Sequence, residues 1–169
     1  MAEIIQEMIK EAKRIEEDSE HSAKGQYNAA DRWNGYHLLI GIPASVVAAL
    51  AGVSVVQKAP SWAVACAVAS AALTTVLTFL RPSERSEKHK TYGGQYLALR
   101  NAARIFRQIE VVEADVNAAK QRLLSLSRMR DELNQTALAV GRKDYELAKT
   151  DIDSGRSQYG VDGAGHVGK

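Results

Sequence analysis

Between Leu38 and Leu80 the chain carries one charged side chain, Lys58, while the segments on either side alternate acids and bases densely. Two apolar stretches fill that window: YHLLIGIPASVVAALAGVSVV from Tyr36 to Val56, and SWAVACAVASAALTTVLTFL from Ser61 to Leu80. About 20 residues at a rise of about 1.5 Å each cross a hydrocarbon core of about 30 Å. Backbone polar groups inside a bilayer must satisfy one another, so both stretches are expected to be helical despite their Val and Thr content. Pro43 lies in the first turns of the first stretch and deprives an upstream carbonyl of its donor, which predicts a kink there. Gln57, Lys58, Ala59 and Pro60 join the two stretches, so the expected arrangement is an antiparallel transmembrane hairpin.

The ends of the stretches fit that reading. Trp33 and Tyr36 fall at one membrane edge and Trp62 at the other, as an interfacial aromatic belt places them. Lys24 and Arg32 precede the first span, Arg81, Arg85, Lys88 and Lys90 follow the second, and the loop holds only Lys58. The positive-inside rule then puts both termini in the cytoplasm. The competing reading is a buried, alanine-rich hairpin of a soluble bundle. Such bundles spread their apolar residues periodically along the chain instead of gathering them in one block.

Outside the window the period is helical. Ile5, Met8, Ala12 and Ile15 recur at three and four, and Ala23, Tyr27, Ala30 and Trp33 continue the pattern, with Gly25 a point where the helix could break. Charged residues on the remaining faces read as a solvated surface. Beyond the second span, Pro82 terminates the apolar run, and Ser83 is placed to cap a new helix with Glu84 and Glu87 in its first turns. Tyr92, Tyr96, Leu99, Ala103, Phe106 and Ile109 form one stripe; Val116, Ala119, Leu123, Leu126 and Leu133 form a second at near-heptad spacing. The handover between helices falls at Glu110–Asp115 or at Asn134–Thr136, and a short helix is expected from Ala137 to about Asp151. The Gly-rich segment from Ser154 has no apolar period and is expected to be disordered. The fold class is therefore an all-α membrane protein. Residues 1–35 form a cytoplasmic amphipathic region, 36–80 the transmembrane hairpin, 81–153 cytoplasmic helices and 154–169 a flexible tail.

Composition adds little chemistry. The net charge of +2 and the absence of a basic cluster with interleaved aromatics argue against direct nucleic-acid binding. One cysteine, Cys66, excludes an intramolecular disulfide. The first apolar stretch lies behind a long charged segment, so a cleaved signal peptide is not expected. His21, His37, His89 and His166 are scattered without metal-ligand spacing, and Gly93-Gly94 lacks the strand–turn–helix context of a phosphate loop. His89, between Lys88 and Lys90, suits a juxtamembrane or interhelix hydrogen bond better than catalysis. Neither a cofactor nor enzymatic activity is expected.

Small residues recur on both spans. Gly41, Ser45, Ala48 and Gly52 mark the first; Ala63, Ala67 and Ala71 mark one face of the second, and Cys66, Ser70, Thr74 and Thr78 follow at strict intervals of four. Small faces allow close helix approach and hydroxyls can bond across helices. The stripe therefore serves packing within the hairpin, back-bonding to its own helix, contact with other protomers, or the lining of a path in an oligomer. No intramembrane carboxylate or base accompanies it, which argues against a proton relay.

The stretch HSAKGQYNAADRWNGYHLLIGIPASVVAALAGVSVV (His21–Val56) resembles the first half of the SLATT family, two-transmembrane effector domains associated with SMODS nucleotidyltransferases and SLOG sensors. RPSERSEKHKTYGGQYLALRNAARIF (Arg81–Phe106) resembles the juxtamembrane stretch after that family's second span. The Pro82-Ser83-Glu84-Arg85 turn, His89 and the Tyr96–Leu99 spacing carry the match, and helices continuing to Tyr145-Glu146-Leu147-Ala148 extend it over nearly the whole chain. The resemblance implies a membrane effector of bacterial conflict or antiphage defence, located in the inner membrane. Such an effector oligomerises with its own kind and permeabilises the membrane when a partner signals. The partner would be a nucleotidyltransferase, a nucleotide sensor or a reverse-transcriptase-like protein. Pro82–Leu99, with Arg85, His89 and Tyr96, would then couple the cytoplasmic helices to the span. The alternative function is a non-conducting membrane-anchored scaffold that recruits a soluble partner.

Overall fold

Six helices follow one another in the computed structural model, which describes residues 2–56 and 60–156. They are α1 (Ala2–Val56), α2 (Pro60–Leu80), α3 (Pro82–Ile105), the single turn α4 (Val111–Glu113), α5 (Val116–Thr136) and α6 (Arg142–Asp153). A π turn, Phe106–Glu110, links α3 to α4. Among the described residues 93% are helical and none is in a strand. Of the expected loop Gln57–Pro60, Gln57, Lys58 and Ala59 lie outside the described residues, as do His166 and the tail from residue 157, while Pro60 already opens α2. Ser154–Arg156 close α6 in turns, with Gly155 at a φ of 74°.

Two boundaries differ from expectation: no helix end falls at Gly25, and α3 does not begin after a Ser83 cap. α1 is one helix through both Gly25 and Pro43. Gly25 marks a close approach instead of a break: a Cβ there would stand 3.3 Å from Val140 Cγ1. Ser83 is not the cap of α3, because the helix already starts at Pro82, whose missing N–H and fixed φ suit a first helical position. Arg81 alone, a non-glycine residue with a φ of 44°, separates α2 from α3. Its N–H donates to the Leu77 carbonyl at 2.9 Å, the left-handed closure of a helix C-terminus.

The chain divides into two compact units, residues 30–88 and the remainder. In the second of these, Met8, Ala12 and Ile15 of α1 pack with Leu99 and Ala103 of α3, Phe106 of the π turn, Val111, and Ala119 and Leu126 of α5. Ile5, Ile9, Ala102, Val116, Leu123 and Leu133 surround them. Most of both expected stripes therefore enters one core; Tyr92 and Tyr96 lie outside this cluster, and Ile109 is turned away from it. Ile109 is 51% exposed while Val111 is 1% exposed. The π turn adds a residue to the helical repeat, so the core position after Phe106 passes to Val111.

Both expected handovers are real. Asp115 caps α5, accepting from the N–H groups of Asn117 at 2.8 Å and Ala118 at 3.1 Å. The loop after Thr136 delays α6 to Arg142, five residues later than expected, since Ala137–Val140 run close to Gly25 and Gln26 without forming a helix.

Candidate functional site

In the unit of residues 30–88, α1 and α2 pair in opposite directions. Ser86 Oγ donates to the Ala30 carbonyl at 2.9 Å, Leu77 Cδ1 comes within 3.7 Å of the Cβ position of Gly41, and Ser70 Oγ donates to the Ala44 carbonyl at 3.1 Å. As one residue number rises the other falls, which is the signature of antiparallel neighbours.

The faces that meet follow a three–four alternation. On α2 these are Ala63, Cys66, Ser70, Leu73 and Leu77; on α1 they are His37, Ile40, Ala44, Val47 and Ala51, with Gly41 beside them. Each is buried or half-buried. At 100° per residue, a strict interval of four advances 40° per step and leaves such a face within a few turns. The expected stripe therefore splits. Cys66 and Ser70 lie at the α1–α2 seam, whereas Thr74 and Thr78 are exposed. On α1, Gly41 belongs to the seam, while Ser45, Ala48 and Gly52 are exposed.

The hydroxyls are mostly satisfied within the chain. Ser45 donates to the Gly41 carbonyl at 3.0 Å, Thr75 to Ala71 at 2.8 Å and Thr78 to Thr74 at 2.9 Å. Such back-bonding lets a hydroxyl sit on an apolar helix without an unpaired donor. Between the helices an open groove of about 550 Å³ is lined by His37, Gly41, Ser45, Ser70, Thr74 and Leu77 among others. Around it the surface is apolar: Leu39 is 71% exposed, Trp62 69% and Phe79 81%.

One end of this unit carries a collar of arginines and aromatic rings. Trp33 meets Tyr36 edge-on at 5.6 Å between centroids. The Arg32 guanidinium lies 5.5 Å from the Trp33 centroid and 5.8 Å from that of Tyr36, and Arg85 lies 4.8 Å over Trp33. All three distances are within cation–π range. Arg85 Nε also donates to the Leu80 carbonyl at 3.1 Å, satisfying an orphan acceptor at the end of α2. Glu84 accepts from both Arg81, at 3.3 Å, and Lys88, at 2.8 Å. These contacts, led by the Lys88 hydrogen bond, hold its carboxyl below the usual carboxylate range. Trp62 sits at the other end of α2, consistent with its sequence position.

The other unit buries several polar groups, and His89 makes the interhelix hydrogen bond that was one of the two roles expected for it. His89 is 3% exposed, and its Nδ1 lies 2.5 Å from Gln26 Oε1. Gln26 Nε2 donates to the Leu138 carbonyl at 2.9 Å, so its oxygen accepts and the imidazole donates. Tyr96 donates from its hydroxyl to Asn134 Oδ1 at 2.9 Å, and burial raises its pKa above the ordinary value, with the Tyr92 charge adding to it. Glu16 receives Arg107 Nε at 3.0 Å, and Arg100 Nε lies 3.5 Å from Glu20. Leu99, expected beside Tyr96, is a core residue. The Tyr27 ring comes within 3.1 to 3.2 Å of the Cβ position of Gly93, so that glycine seats an aromatic side chain. Tyr27 itself is 38% exposed, off the core face where the apolar period placed it.

The buried contacts of Gln26, Ser86 and Gly93 were not expected, yet a signal for them existed. The buried face of α1 runs Met8, Ala12, Ile15, Ser19, Ala23, Gln26, Ala30, and that of α3 runs Pro82, Ser86, His89, Gly93, Tyr96. Extending the apolar period through polar residues would have reached them. No cluster of three or more metal-ligating side chains occurs among the described residues. Comparison of the chain with protein-family models, with curated proteins and with solved structures finds no match.

Proposed function

We propose that the chain is a membrane-embedded effector of the SLATT kind, in which residues 36–80 cross the bacterial inner membrane as a hairpin with both termini in the cytoplasm. Copies of it assemble and permeabilise the membrane when a partner or a nucleotide signal triggers them. One observation carries the membrane part of this reading. Two helices are long and apolar enough to cross a membrane, with mean hydropathies of 1.8 and 2.1 over their most apolar windows, and only 6% of either window is buried within the chain. A core helix of a soluble domain would have most of that surface covered. Apolar side chains left bare in this way require lipid or protein around them.

The assembly part is supported by Ser45, Ala48 and Thr74, exposed along the groove beside the α1–α2 seam, and by the exposed Gly52 and Thr78, all of which allow a neighbouring helix to approach. Bacteria expressing the protein together with its signalling partner, and loaded with a membrane-potential dye, are expected to depolarise. Full polarisation at high expression with the trigger present would overturn the reading. Thr74→Leu is the better probe of a conducting path than a change at Ser70, because Ser70 is engaged with Ala44 inside the protomer. The expected result is loss of depolarisation with oligomer size unchanged.

The second reading, a non-conducting scaffold, draws support from the back-bonded hydroxyls of Ser45, Thr75 and Thr78. A scaffold predicts that Thr74→Leu leaves partner recruitment intact and that no variant depolarises the cell.

A further inference from the structure

The arginine–aromatic collar holds one guanidinium in a state unlike its neighbours. Arg81 and Lys88 share Glu84. Arg85 has no carboxylate partner among the described residues. Its Nε is committed to the Leu80 carbonyl and its planar group is laid over Trp33 at 4.8 Å. That leaves the two terminal nitrogens of Arg85 without a hydrogen-bond partner among the described residues, on a side chain exposed at the surface. A guanidinium fixed at one edge and one face presents its remaining N–H groups as a fork, the geometry that matches two oxygens of a phosphate.

Position gives the phosphate its source. Leu80 is the last residue of the apolar helix α2, so a group bound to its carbonyl stands where the hydrocarbon ends and the headgroups begin. Trp33 and Tyr36 belong to the same depth, because aromatic rings with polar edges favour that interface. Around this level, residues 31–37 and 81–88 carry four cations, Arg32, Arg81, Arg85 and Lys88, against three carboxylates, Asp31, Glu84 and Glu87. The surplus is one positive charge, which suits one anionic headgroup.

Resting on the membrane reading above, we propose that Arg85, braced by Trp33 and the Leu80 carbonyl, is a binding site for the phosphate of an anionic phospholipid in the leaflet facing the termini. The lipid completes the collar and fixes the depth of the turn at Arg81.

The test is lipid retention by the full chain, purified in detergent and measured by native mass spectrometry after titration with phosphatidylglycerol or phosphatidylcholine. The wild type is expected to retain the anionic lipid in preference. Arg85→Gln is expected to weaken retention by about tenfold, the worth of one charge-assisted contact. Arg85→Lys is expected to weaken it too, since an ammonium keeps the charge but cannot fork or stack. Trp33→Leu, which leaves Arg85 and its bond to Leu80 in place, serves where Arg85→Gln fails to fold and is expected to lower retention severalfold. Equal retention by wild type, Arg85→Lys and Trp33→Leu overturns the proposal, as does equal retention of the two lipids. Displacement of the lipid by millimolar inorganic phosphate overturns the assignment to a lipid source. Release of the protein from membranes by alkaline carbonate overturns the membrane reading itself, whereas a membrane-retained protein with no lipid preference overturns only this site.

Discussion

Arg81 shows how a single residue can separate two helices. Its φ of 44° places an L-residue in the left-handed region, where its Cβ crowds the following carbonyl at a cost of about 1 kcal/mol. Arg81→Gly is therefore expected to raise stability by about 1 kcal/mol, read as a higher thermal midpoint in detergent, because its exposed pair with Glu84 contributes little. An unchanged or lower midpoint refutes the strain. Tyr96 gives a second expectation. Burial lifts its folded pKa above the ordinary 10.0, so the unfolded chain loses that proton first as pH rises. The stability it confers is then complete below the unfolded pKa and is lost as pH climbs through the folded one. Denaturant midpoints should hold steady up to about pH 10 and fall beyond it, and Tyr96→Phe should make that fall shallower. An identical alkaline slope in the variant would refute the assignment. The apolar period anticipated the end of α2 and the burial of Tyr96, but neither the left-handed conformation of Arg81 nor the bond from Tyr96 to Asn134 follows from local sequence.

At the level of the element, the π turn at Phe106–Glu110 decides which apolar residues face the core. A regular helix would continue the stripe to Ile109, but the inserted residue turns Ile109 outward and brings Val111 in. Val111→Ala is expected to cost about 2 kcal/mol through lost burial and a residual cavity. Ile109→Ala should stay within about 0.5 kcal/mol, as surface changes do. Equilibrium unfolding of the two variants distinguishes the registers, and a larger effect at Ile109 would mean that the helix is regular. The two spans show the same lesson in milder form. Counting in fours picked out Cys66, Ser70, Thr74 and Thr78 as one stripe, but only a three–four alternation follows a face, so the first two lie at the seam and the last two outside it. The cap at Asp115 falls at the edge of the expected Glu110–Asp115 handover, although the apolar period marks only the handover and not which residue caps the next helix.

Across the whole molecule, the exposed apolar surface of residues 36–80 sets the strongest expectation. After expression, the protein should remain in the pellet when membranes are washed with alkaline carbonate and should dissolve only in detergent. Recovery in the aqueous wash would refute a spanning hairpin and leave the apolar surface to be covered by protein. The partly buried ion pairs Arg107–Glu16 and Arg100–Glu20 work at this scale too, since each joins residues far apart in sequence. Their separation is why local pattern assigned them to solvent.

The segregation of charge from apolar residues was enough, on its own, to give the helical class, the two long apolar helices and most of the core. Those features follow from local period and from the length of uncharged runs, which any window of the chain contains. Tertiary structure alone decided that Gly25 and Gly93 admit Val140 and the Tyr27 ring, that Gln26 joins His89 to the Leu138 carbonyl, and that Arg85 lies over Trp33. Each of these depends on partners dozens of residues away. A one-dimensional period identifies which face of a helix is covered, but not which atoms cover it.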